Sequence, residues 1–453
     1  MAGIYIHIPF CRKACNYCNF HFSTSFSQKQ EVVTAIIREL EIRKDFLEGA
    51  PIETLYLGGG TPSLLSYDDL SRIFEAVQRQ FNLDTLRECT LEANPDDLSS
   101  SFLRDLRRTP VNRFSIGVQS FFDEDLKYMN RAHNASQAEY SIKAAQDAGF
   151  ELITIDLIYG TPGLDDASWK QNLAMVSELS IPHFSAYALT VEEKTALHHS
   201  IAKGKQAPVD PEQSAAQLEL LMDAAPAMGF EQYEISNFAK NGQYAVHNTN
   251  YWKGVPYLGI GPSAHSFDGK RRRVANIANN ALYTKAMLHK KPLIEEETLT
   301  EEQQLNEYLM TSLRTIWGVD LKHIETSWGV NAVKAIKKNS QIFLEKKWLS
   351  ETVGSKLLLT NAGRLFADHI ASELFFRGGT SPRSARQTIR YHPLLRGSVL
   401  LHERSNSGRR AASLQQARPR GGKCNRVRPK DGHTLQSNSR YSLRDTNPSW
   451  TGC

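Results

Sequence analysis

Three cysteines near the N-terminus provide the clearest chemical signal in the sequence. Cys11, Cys15 and Cys18 fall within eight residues, close behind the alternating run Gly3-Ile-Tyr-Ile-His-Ile8. Thiolates at this spacing on one loop can be directed at one inorganic centre, either an iron–sulfur cluster or a zinc ion. A cubane cluster has four irons, so three cysteines would leave one iron open to a small molecule. A zinc site could instead combine the three thiolates with His21.

Polar residues at the ends of later predicted strands could complete such a site. The loop Gly58-Gly-Gly-Thr-Pro62 would let the backbone approach a ligand closely, although a sharp strand-to-helix turn accounts for it equally well. Glu92, Gln119, Arg131 and Asp156 follow or end later strands, and Asp156 interrupts an apolar run where an unpaired carboxylate is costly to bury. Together they supply acceptors for ribose hydroxyls and an ammonium, and a cation for a carboxylate. S-adenosylmethionine presents these groups.

Strands and helices alternate through the first three-fifths of the chain. Apolar patterning predicts strands at Ile4–Ile8, Thr54–Leu57, Glu88–Glu92, Arg113–Val118, Leu152–Leu157, His183–Ala188 and Gln232–Ile235. It predicts helices between them, for example at Gln30–Glu48, Tyr67–Gln80, Ser136–Ala148 and Pro211–Met228. Repeated units of this kind predict an α/β fold with parallel strands and outer helices, closed as a partial or nearly complete (β/α) barrel. Chemistry in such barrels lies at the carboxyl ends of the strands, where the cysteines are.

Composition and charge divide the chain into a body and a tail. No apolar run of the 453 residues approaches the ~18 needed for a transmembrane helix, and the first strand starts without a signal peptide. These features predict a reducing, cytoplasmic location in which the six cysteines form one cluster site and three stray thiols. From Arg377 onward, 14 Arg and 2 Lys against 3 acidic residues give +13, so the total of +5 leaves −8 for the body.

The tail at 377–453 is rich in Ser, Arg, Gly and Pro, which predicts disorder. Our hypothesis is that it is a read-through or frame-shifted segment without evolved function. The alternative is a solvated basic extension that binds anionic surfaces weakly.

The cysteine and glycine motifs together resemble the radical S-adenosylmethionine (SAM) enzymes. Tyr5-Ile-His-Ile-Pro-Phe-Cys11 narrows the resemblance to the oxygen-independent coproporphyrinogen III oxidase group, and it runs from Tyr5 to about Phe376. It implies a [4Fe–4S] cluster held by Cys11, Cys15 and Cys18. The residues that it implies as contacts of S-adenosyl-L-methionine are Tyr5, Gly59, Gly60, Thr61, Glu92, Gln119, Arg131 and Asp156. Tyr17 and Ala188 match positions near a second such molecule in the oxidase.

Three features are more similar to the haem chaperones related to that oxidase. Phe20 stands where the oxidase has a further cysteine, and only four residues precede Tyr5 where the oxidase has an N-terminal extension. His247-Asn-Thr-Asn-Tyr-Trp252 resembles an HNxxYW motif that is tied to haem binding in the chaperones. The resemblance implies that His247 could ligate haem iron while Tyr251 and Trp252 pack against the porphyrin. A role of His247 and Trp252 in shaping a loop is the alternative.

The resemblance implies a chaperone that carries haem, a cluster and SAM and transfers haem to apo-haemoproteins such as respiratory cytochromes. Peripheral membrane association is a further expectation, and the oligomeric state is left open. The alternative function is a radical enzyme that decarboxylates coproporphyrinogen III, so the sequence does not decide whether the chain is an enzyme.

The predicted organisation has four parts. These are a radical SAM barrel at 1–235, a barrel-closing segment with the histidine motif at 236–290, a helix-rich C-terminal domain of the oxidase type at 291–376, and the basic tail. The C-terminal domain starts with Glu295-Glu-Glu297, and this acidic character argues against a specific nucleic-acid partner.

Overall fold

The structure is a computed structural model that describes residues 1–376, so the predicted basic tail lies outside the described residues. Six strands of the N-terminal part pair in parallel, each with its neighbour in sequence. They are β1 (Ala2–Ile8), β2 (Ile52–Gly59), β3 (Glu88–Ala93), β4 (Arg113–Gln119), β5 (Leu152–Tyr159) and β6 (His183–Ala188). The predicted α/β partial barrel is therefore confirmed, with the carboxyl ends of six strands along one edge.

Helices connect these strands. They are α1 (Lys29–Ile42), α2 (Tyr67–Gln80), α3 (Ser100–Leu106), α4 (Asp123–Tyr128), α5 (Ala135–Asp147) and α6 (Asp166–Glu178). Helix α2 begins at the predicted residue. Its start is fixed by a capping box, in which the side chains of Ser66 and Asp69 each accept a hydrogen bond from the backbone N–H of the other. The strands are nearly continuous apolar runs, as is typical of parallel strands that are covered on both faces.

The last predicted strand of the barrel, Gln232–Ile235, is not a seventh parallel strand. After α7 (Ala196–Ala202) and α8 (Pro211–Ala227), β7 (Glu231–Glu234) forms a hairpin with β8 (Asn237–Ala239). Strand β8 pairs antiparallel with β6, which leaves β7 at the edge of the sheet. Because the connection between β7 and β8 is too short for a crossover, the two strands must be antiparallel.

The other side of the sheet is extended by a later stretch of the chain. Helix α9 (Val246–Trp252) carries the histidine motif, and β9 (Tyr257–Ile260) then returns to pair in parallel with β1. Antiparallel strands β10 (His265–Phe267), β11 (Arg272–Asn276) and β12 (Ile294–Thr298) continue the sheet, with α10 (Asn280–Leu288) before β12. The result is a twelve-stranded sheet with β1 in its interior and β12 and β7 at its edges.

A second apolar core lies in the C-terminal part. Its elements are α11 (Glu301–Leu313), β13 (Val319–Asp320), α12 (Leu321–Trp328), α13 (Val330–Glu345), β14 (Leu349–Glu351), β15 (Lys356–Leu359), α14 (Asn361–Arg364) and α15 (Ala367–Leu374). Buried Arg314 joins this part to the barrel, since its Nε donates to Glu234 Oε1 at 3.1 Å and its Nη1 donates to Asp368 Oδ1 at 3.0 Å. No helix within residues 1–376 is long and apolar enough to cross a membrane.

Candidate functional site

The cysteine loop lies between β1 and α1, at the carboxyl edge of the parallel strands. Cys11, Cys15 and Cys18 are half-buried free thiols. The loop is shaped by backbone hydrogen bonds, among them Cys11 N–H to Ser23 O at 3.0 Å. Cys89 is a free thiol too, but it is completely buried within β3 and belongs to the apolar core. The loop thus presents three thiols at the edge where barrel chemistry takes place.

The donor set of this loop fits a cluster. Burial raises the pKa of Cys18 to about 12 and also raises the pKa of Cys11, so these thiols need a neighbouring cation in order to ionise, and cluster irons supply one. In a cubane each thiolate binds a separate iron. His21, the fourth ligand of the alternative zinc site, has its Nε2 2.8 Å from Asn280 Oδ1. Ligation of zinc by that nitrogen would require this hydrogen bond to break.

The glycine-rich loop at the end of β2 lies directly against the cysteine loop. Gly60 N–H donates to Ile8 O at 2.9 Å, and Thr61 N–H donates to Phe10 O at 2.7 Å. A Cβ atom on Gly60 would lie 2.7 Å from both of those carbonyl oxygens, and Gly59 has a φ of +105°. The close approach of two backbones therefore requires glycine here before any ligand is considered.

Arg131 connects the cysteine loop to the strand ends. Its Nη1 donates to Cys15 Sγ at 3.2 Å and its Nη2 donates to Asn94 Oδ1 at 2.8 Å. Asn94 Nδ2 donates to Thr61 Oγ1 at 3.2 Å, and that hydroxyl donates to Cys11 Sγ at 3.5 Å. The Nε of Arg131 is buried and has no hydrogen-bond partner within residues 1–376. One network thus contacts two of the three cysteines and leaves one charged donor of Arg131 without a partner in the described protein.

Two carboxylates lie close to this network. Glu92 Oε2 accepts from Gly59 N–H at 3.0 Å, and its Oε1 accepts from the Tyr56 hydroxyl at 2.8 Å. Burial, with a contribution from the charge of Asp156, raises the pKa of Glu92 to about 7. Burial raises the pKa of Asp156 to about 6, although a hydrogen bond from Ser185 opposes the shift. Two neighbouring carboxylates with raised pKa values favour a cationic ligand, which would stabilise their charged forms.

The remaining predicted SAM-binding residues lie on nearby elements. Gln119 ends β4 in the left-handed region with a φ of +70°, which is a strained conformation for a non-glycine residue. Tyr17 lies in the cysteine loop and interacts with Arg131, whereas Ala188 ends β6. Tyr5 lies within β1, where its ring stacks on a tyrosine of β2 at 6.0 Å. The sequence reasoning missed Asn94, although it follows the carboxyl end of β3 and that position was a usable signal.

His247 lies at the amino ends of the parallel strands, whereas most of the other predicted site residues lie towards the carboxyl ends or in the cysteine loop. Its ring packs on Gly3 at the start of β1, where an added Cβ would lie 3.2 Å from His247 Cε1. Strand β1 has seven residues, so at 3.3 Å per residue about 20 Å separates this end from the cysteine loop, although the ring of Tyr56 stacks on His247 at 5.0 Å and its hydroxyl donates to Glu92 at 2.8 Å. His247 is 2% exposed, with Nδ1 2.8 Å from Thr54 Oγ1 and Nε2 2.9 Å from the Tyr251 hydroxyl. Ligation of iron by His247 would therefore require one of these buried hydrogen bonds to break.

Helix α9 is held in this position by Glu88 at the start of β3. Its carboxylate accepts from Val246 N–H at 2.8 Å and from His247 N–H at 2.9 Å, which pairs two donors of the first helical turn. Burial lowers the pKa of His247 to about 3, so the ring is neutral. The sequence analysis did not single out Glu88 or Thr54. Both are polar side chains near the amino end of a buried strand, and that position could have identified them.

Comparison with known proteins covers both parts of the molecule. Residues 5–176 match the model of the Radical SAM superfamily, and residues 299–366 match the HemN C-terminal domain. The solved structure titled "Coproporphyrinogen III oxidase (HemN) from Escherichia coli is a Radical SAM enzyme" covers 83% of this chain and 90% of its own, with a TM-score of 0.72 and 22% identity. That similarity shows the fold.

Curated relatives extend across nearly all described residues. The protein named heme chaperone HemW of Bacillus subtilis (strain 168) is 34% identical over 376 residues, which span 82% of this chain and 98% of that protein. The protein of the same name from Mycobacterium tuberculosis (strain H37Rv) is 31% identical over 377 residues, or 82% of this chain and 94% of that protein. The chain therefore belongs to the HemW family of the radical SAM superfamily.

Proposed function

We propose that this chain is a haem chaperone that binds haem, a [4Fe–4S] cluster and S-adenosyl-L-methionine and delivers haem to apo-haemoproteins. The observation that carries the proposal is the similarity to proteins named heme chaperone over 94% to 98% of their length. The oxidase function, decarboxylation of coproporphyrinogen III, has weaker support because the solved oxidase shares only 22% identity with this chain.

Cys11, Cys15 and Cys18 would each hold one iron of the cluster, whose remaining iron supplies an open coordination site when the cluster is bound. The hydrogen bonds from Thr61 to Cys11 and from Arg131 to Cys15 would stabilise the thiolate charges. These two contacts also explain why Thr61 and Arg131 belong in the same proposed site.

The proposed SAM site is the group of polar residues beside the cysteine loop. The unpaired Nε of Arg131 suits the carboxylate of the ligand, while Glu92 and Asp156 suit its hydroxyls and cationic groups. We include the remaining matched residues in the proposal: Tyr5, Gly59, Gly60, Thr61 and Gln119. Tyr17 and Ala188 would contact a second molecule, and the resemblance alone supports that assignment.

Respiratory cytochromes are the recipients that we propose, with a cytoplasmic location and peripheral association with the membrane. The assignment of Cys11, Cys15 and Cys18 to a cluster rather than to disulfides agrees with a reducing compartment. The choice of recipient and the membrane association rest on the family resemblance.

The decisive experiment compares two activities of one anaerobically reconstituted sample. We expect the full chain to bind haem in a spectroscopic titration and to pass it to an apo-cytochrome. We expect coproporphyrinogen III to remain unchanged with reductant and excess SAM, while a parallel sample of a coproporphyrinogen III oxidase converts it. Formation of protoporphyrinogen IX by this chain would replace the chaperone function with the oxidase function.

A further inference from the structure

A cavity of about 580 Å³ lies between helix α9, the β9–β11 side of the sheet and the C-terminal part. Its volume falls in the range of roughly 300–1,000 Å³ that is typical of small-molecule sites. Aromatic side chains from both parts of the molecule line it, among them Tyr251, Trp252, Phe267, Tyr308, Trp317 and Trp328. Several rings around one cavity favour a large, flat and mostly apolar ligand.

Trp252 provides independent evidence for a ligand in this cavity. Its side chain is 9% exposed, and its indole Nε1–H is buried without a hydrogen-bond partner among residues 1–376. Buried donors are nearly always paired in folded proteins, so the unpaired donor of this cavity-lining residue favours a ligand that supplies an acceptor when the indole adjusts to it. The guanidinium of Arg314 lies 5.5 Å from the centre of a Trp252 ring and stabilises its position.

The charged residues of the cavity favour an anionic ligand. Lys253 and Lys356 line it, and Lys253 Nζ lies 4.2 Å from the centre of a Trp317 ring. The acidic lining residues already have partners within the protein. Glu307 forms a two-point ion pair with Arg273 at 2.5 Å, and Asp320 accepts from backbone N–H groups at the start of α12. The lysines therefore remain to pair with carboxylates of a ligand.

His323 supplies a metal ligand to the same cavity. It lies on α12 and is exposed, with its ring centre 4.9 Å from that of Tyr308 and 5.5 Å from that of Trp328. Within the described residues no hydrogen bond occupies its ring nitrogens, in contrast to those of His247. Neutral imidazole is a common axial ligand of haem iron, and the imidazole of His323 is accessible for that role.

We propose that this cavity is the haem site, with His323 as the iron ligand, Lys253 and Lys356 at the propionates, and the indoles of Trp252 and Trp328 against the macrocycle. The assignment rests on the proposed haem function and adds its location. His247 then acts as a positioning residue, because its hydrogen bond to Tyr251 holds a cavity-lining ring in place. Haem would bind near the amino ends of the parallel strands, away from the cysteine loop.

The test titrates the full chain with ferric haem and, separately, with iron-free protoporphyrin IX. We expect His323→Ala to weaken haem binding at least about tenfold and to change the Soret band and the axial-ligand signature in electron paramagnetic resonance. Binding of the iron-free porphyrin should be unchanged, because that ligand has no iron to coordinate. The matched control is His289→Ala, which removes an exposed histidine that does not line the cavity.

Two further variants test the cavity itself. Thr311→Trp adds a large side chain to the lining and should abolish binding of both porphyrins, with circular dichroism as the check on folding. Lys253→Glu reverses an exposed charge and should lower the affinity for both porphyrins severalfold. The loss of affinity should be smaller at high salt, because salt screens exposed charges.

The two proposals fail in different ways. If the parent binds haem and the His323 and Lys253 variants match it in affinity and spectrum, the haem site lies elsewhere and only this inference is overturned. If the parent binds no haem, the proposed function fails and the inference fails with it.

Discussion

The hydroxyl of Tyr251 lies 2.9 Å from Nε2 of His247, one helical turn earlier in α9. The two side chains belong to different environments, since His247 is buried beside β1 and β2 whereas Tyr251 lines the cavity. The ring of Tyr56 stacks on His247 at 5.0 Å, and its hydroxyl donates to Glu92 at the other end of the strands. A continuous set of side-chain contacts therefore connects the carboxyl edge of the barrel with the cavity.

Replacing Cys11, Cys15 or Cys18 by Ala should abolish the [4Fe–4S] cluster, because no other cysteine lies in the loop. Iron and sulfide content and visible absorbance after anaerobic reconstitution provide the measurement. Cys89→Ala is the matched control and should retain the full cluster, because Cys89 is buried in β3. Loss of the cluster in the Cys89 variant would contradict the assignment.

Arg131→Ala should weaken the binding of SAM by one to two orders of magnitude. Charge-assisted hydrogen bonds contribute roughly 1.5–3 kcal/mol each, and the variant loses the donor that we assign to the ligand carboxylate. Calorimetry on cluster-loaded protein measures the change, with iron content determined in parallel because Arg131 also donates to Cys15. Arg12→Ala, on the same loop but paired with Asp97 at 2.6 Å, should bind SAM like the parent. Equal affinity for SAM in the Arg131→Ala and Arg12→Ala variants would show that Arg131 does not contact SAM.

The contribution of Glu92 to the stability of the ligand-free protein should fall as the pH rises from about 4.5 to about 7. The pKa of Glu92 is about 7 in the folded protein and 4.5 ordinarily, so the folded state binds the proton more tightly across this interval. That contribution therefore decreases with pH there, so stability should rise more steeply, or fall less steeply, with pH in Glu92→Gln than in the parent. Urea denaturation of cluster-free protein at several pH values checks this. The same slope in the parent and in Glu92→Gln would show that folding does not raise the pKa of Glu92.

The affinity for SAM should change with pH in the opposite direction. The ligand carries a sulfonium and an ammonium, so it favours the ionised form of Glu92, and affinity should rise as the pH passes through about 7. Calorimetric titrations of cluster-loaded parent and Glu92→Gln protein at matched pH values provide the measurement. A parent affinity that is flat between pH 6 and 8, roughly one unit on either side of that pKa, would exclude Glu92 as the titrating contact.

Arg314→Ala should destabilise the contact between the barrel and the C-terminal part by about 3–5 kcal/mol, because it leaves the buried carboxylate of Glu234 without its ion pair. Denaturant titration followed by tryptophan fluorescence measures the loss. Arg79→Ala breaks an exposed pair with Glu75 and should cost no more than about 1 kcal/mol. Similar losses in the two variants would show that the Arg314 ion pair is no stronger than a surface pair.

His247→Gln and Tyr251→Phe should each weaken haem binding without changing the axial-ligand signature, because we assign the iron to His323. The double variant should lose little more than either single variant, since both changes break the same hydrogen bond. Absorbance and electron paramagnetic resonance of the haem complex measure both properties. A change of the axial-ligand signature in His247→Gln but not in Tyr251→Phe would show that His247, rather than His323, ligates the iron.

Local patterns in the sequence were sufficient for the fold and for predicting a site at the carboxyl edge. The spacing of Cys11, Cys15 and Cys18 is a property of one short loop, and the apolar runs of β1 to β6 are properties of single segments. Because parallel strands all end at one edge, the positions of Glu92, Arg131 and Asp156 beside the cysteines followed from their order in the chain.

Only the tertiary structure decided the antiparallel hairpin of β7, the surroundings of His247 and the cavity. His247 contacts Thr54, 193 residues earlier in the chain, and Glu88, 159 residues earlier, so its hydrogen bonds depend on how distant segments pair. The cavity combines aromatic rings of the barrel with His323 of the C-terminal part. No local pattern encodes such contacts, because the packing of already formed elements, rather than the propensity of any one segment, determines which side chains meet.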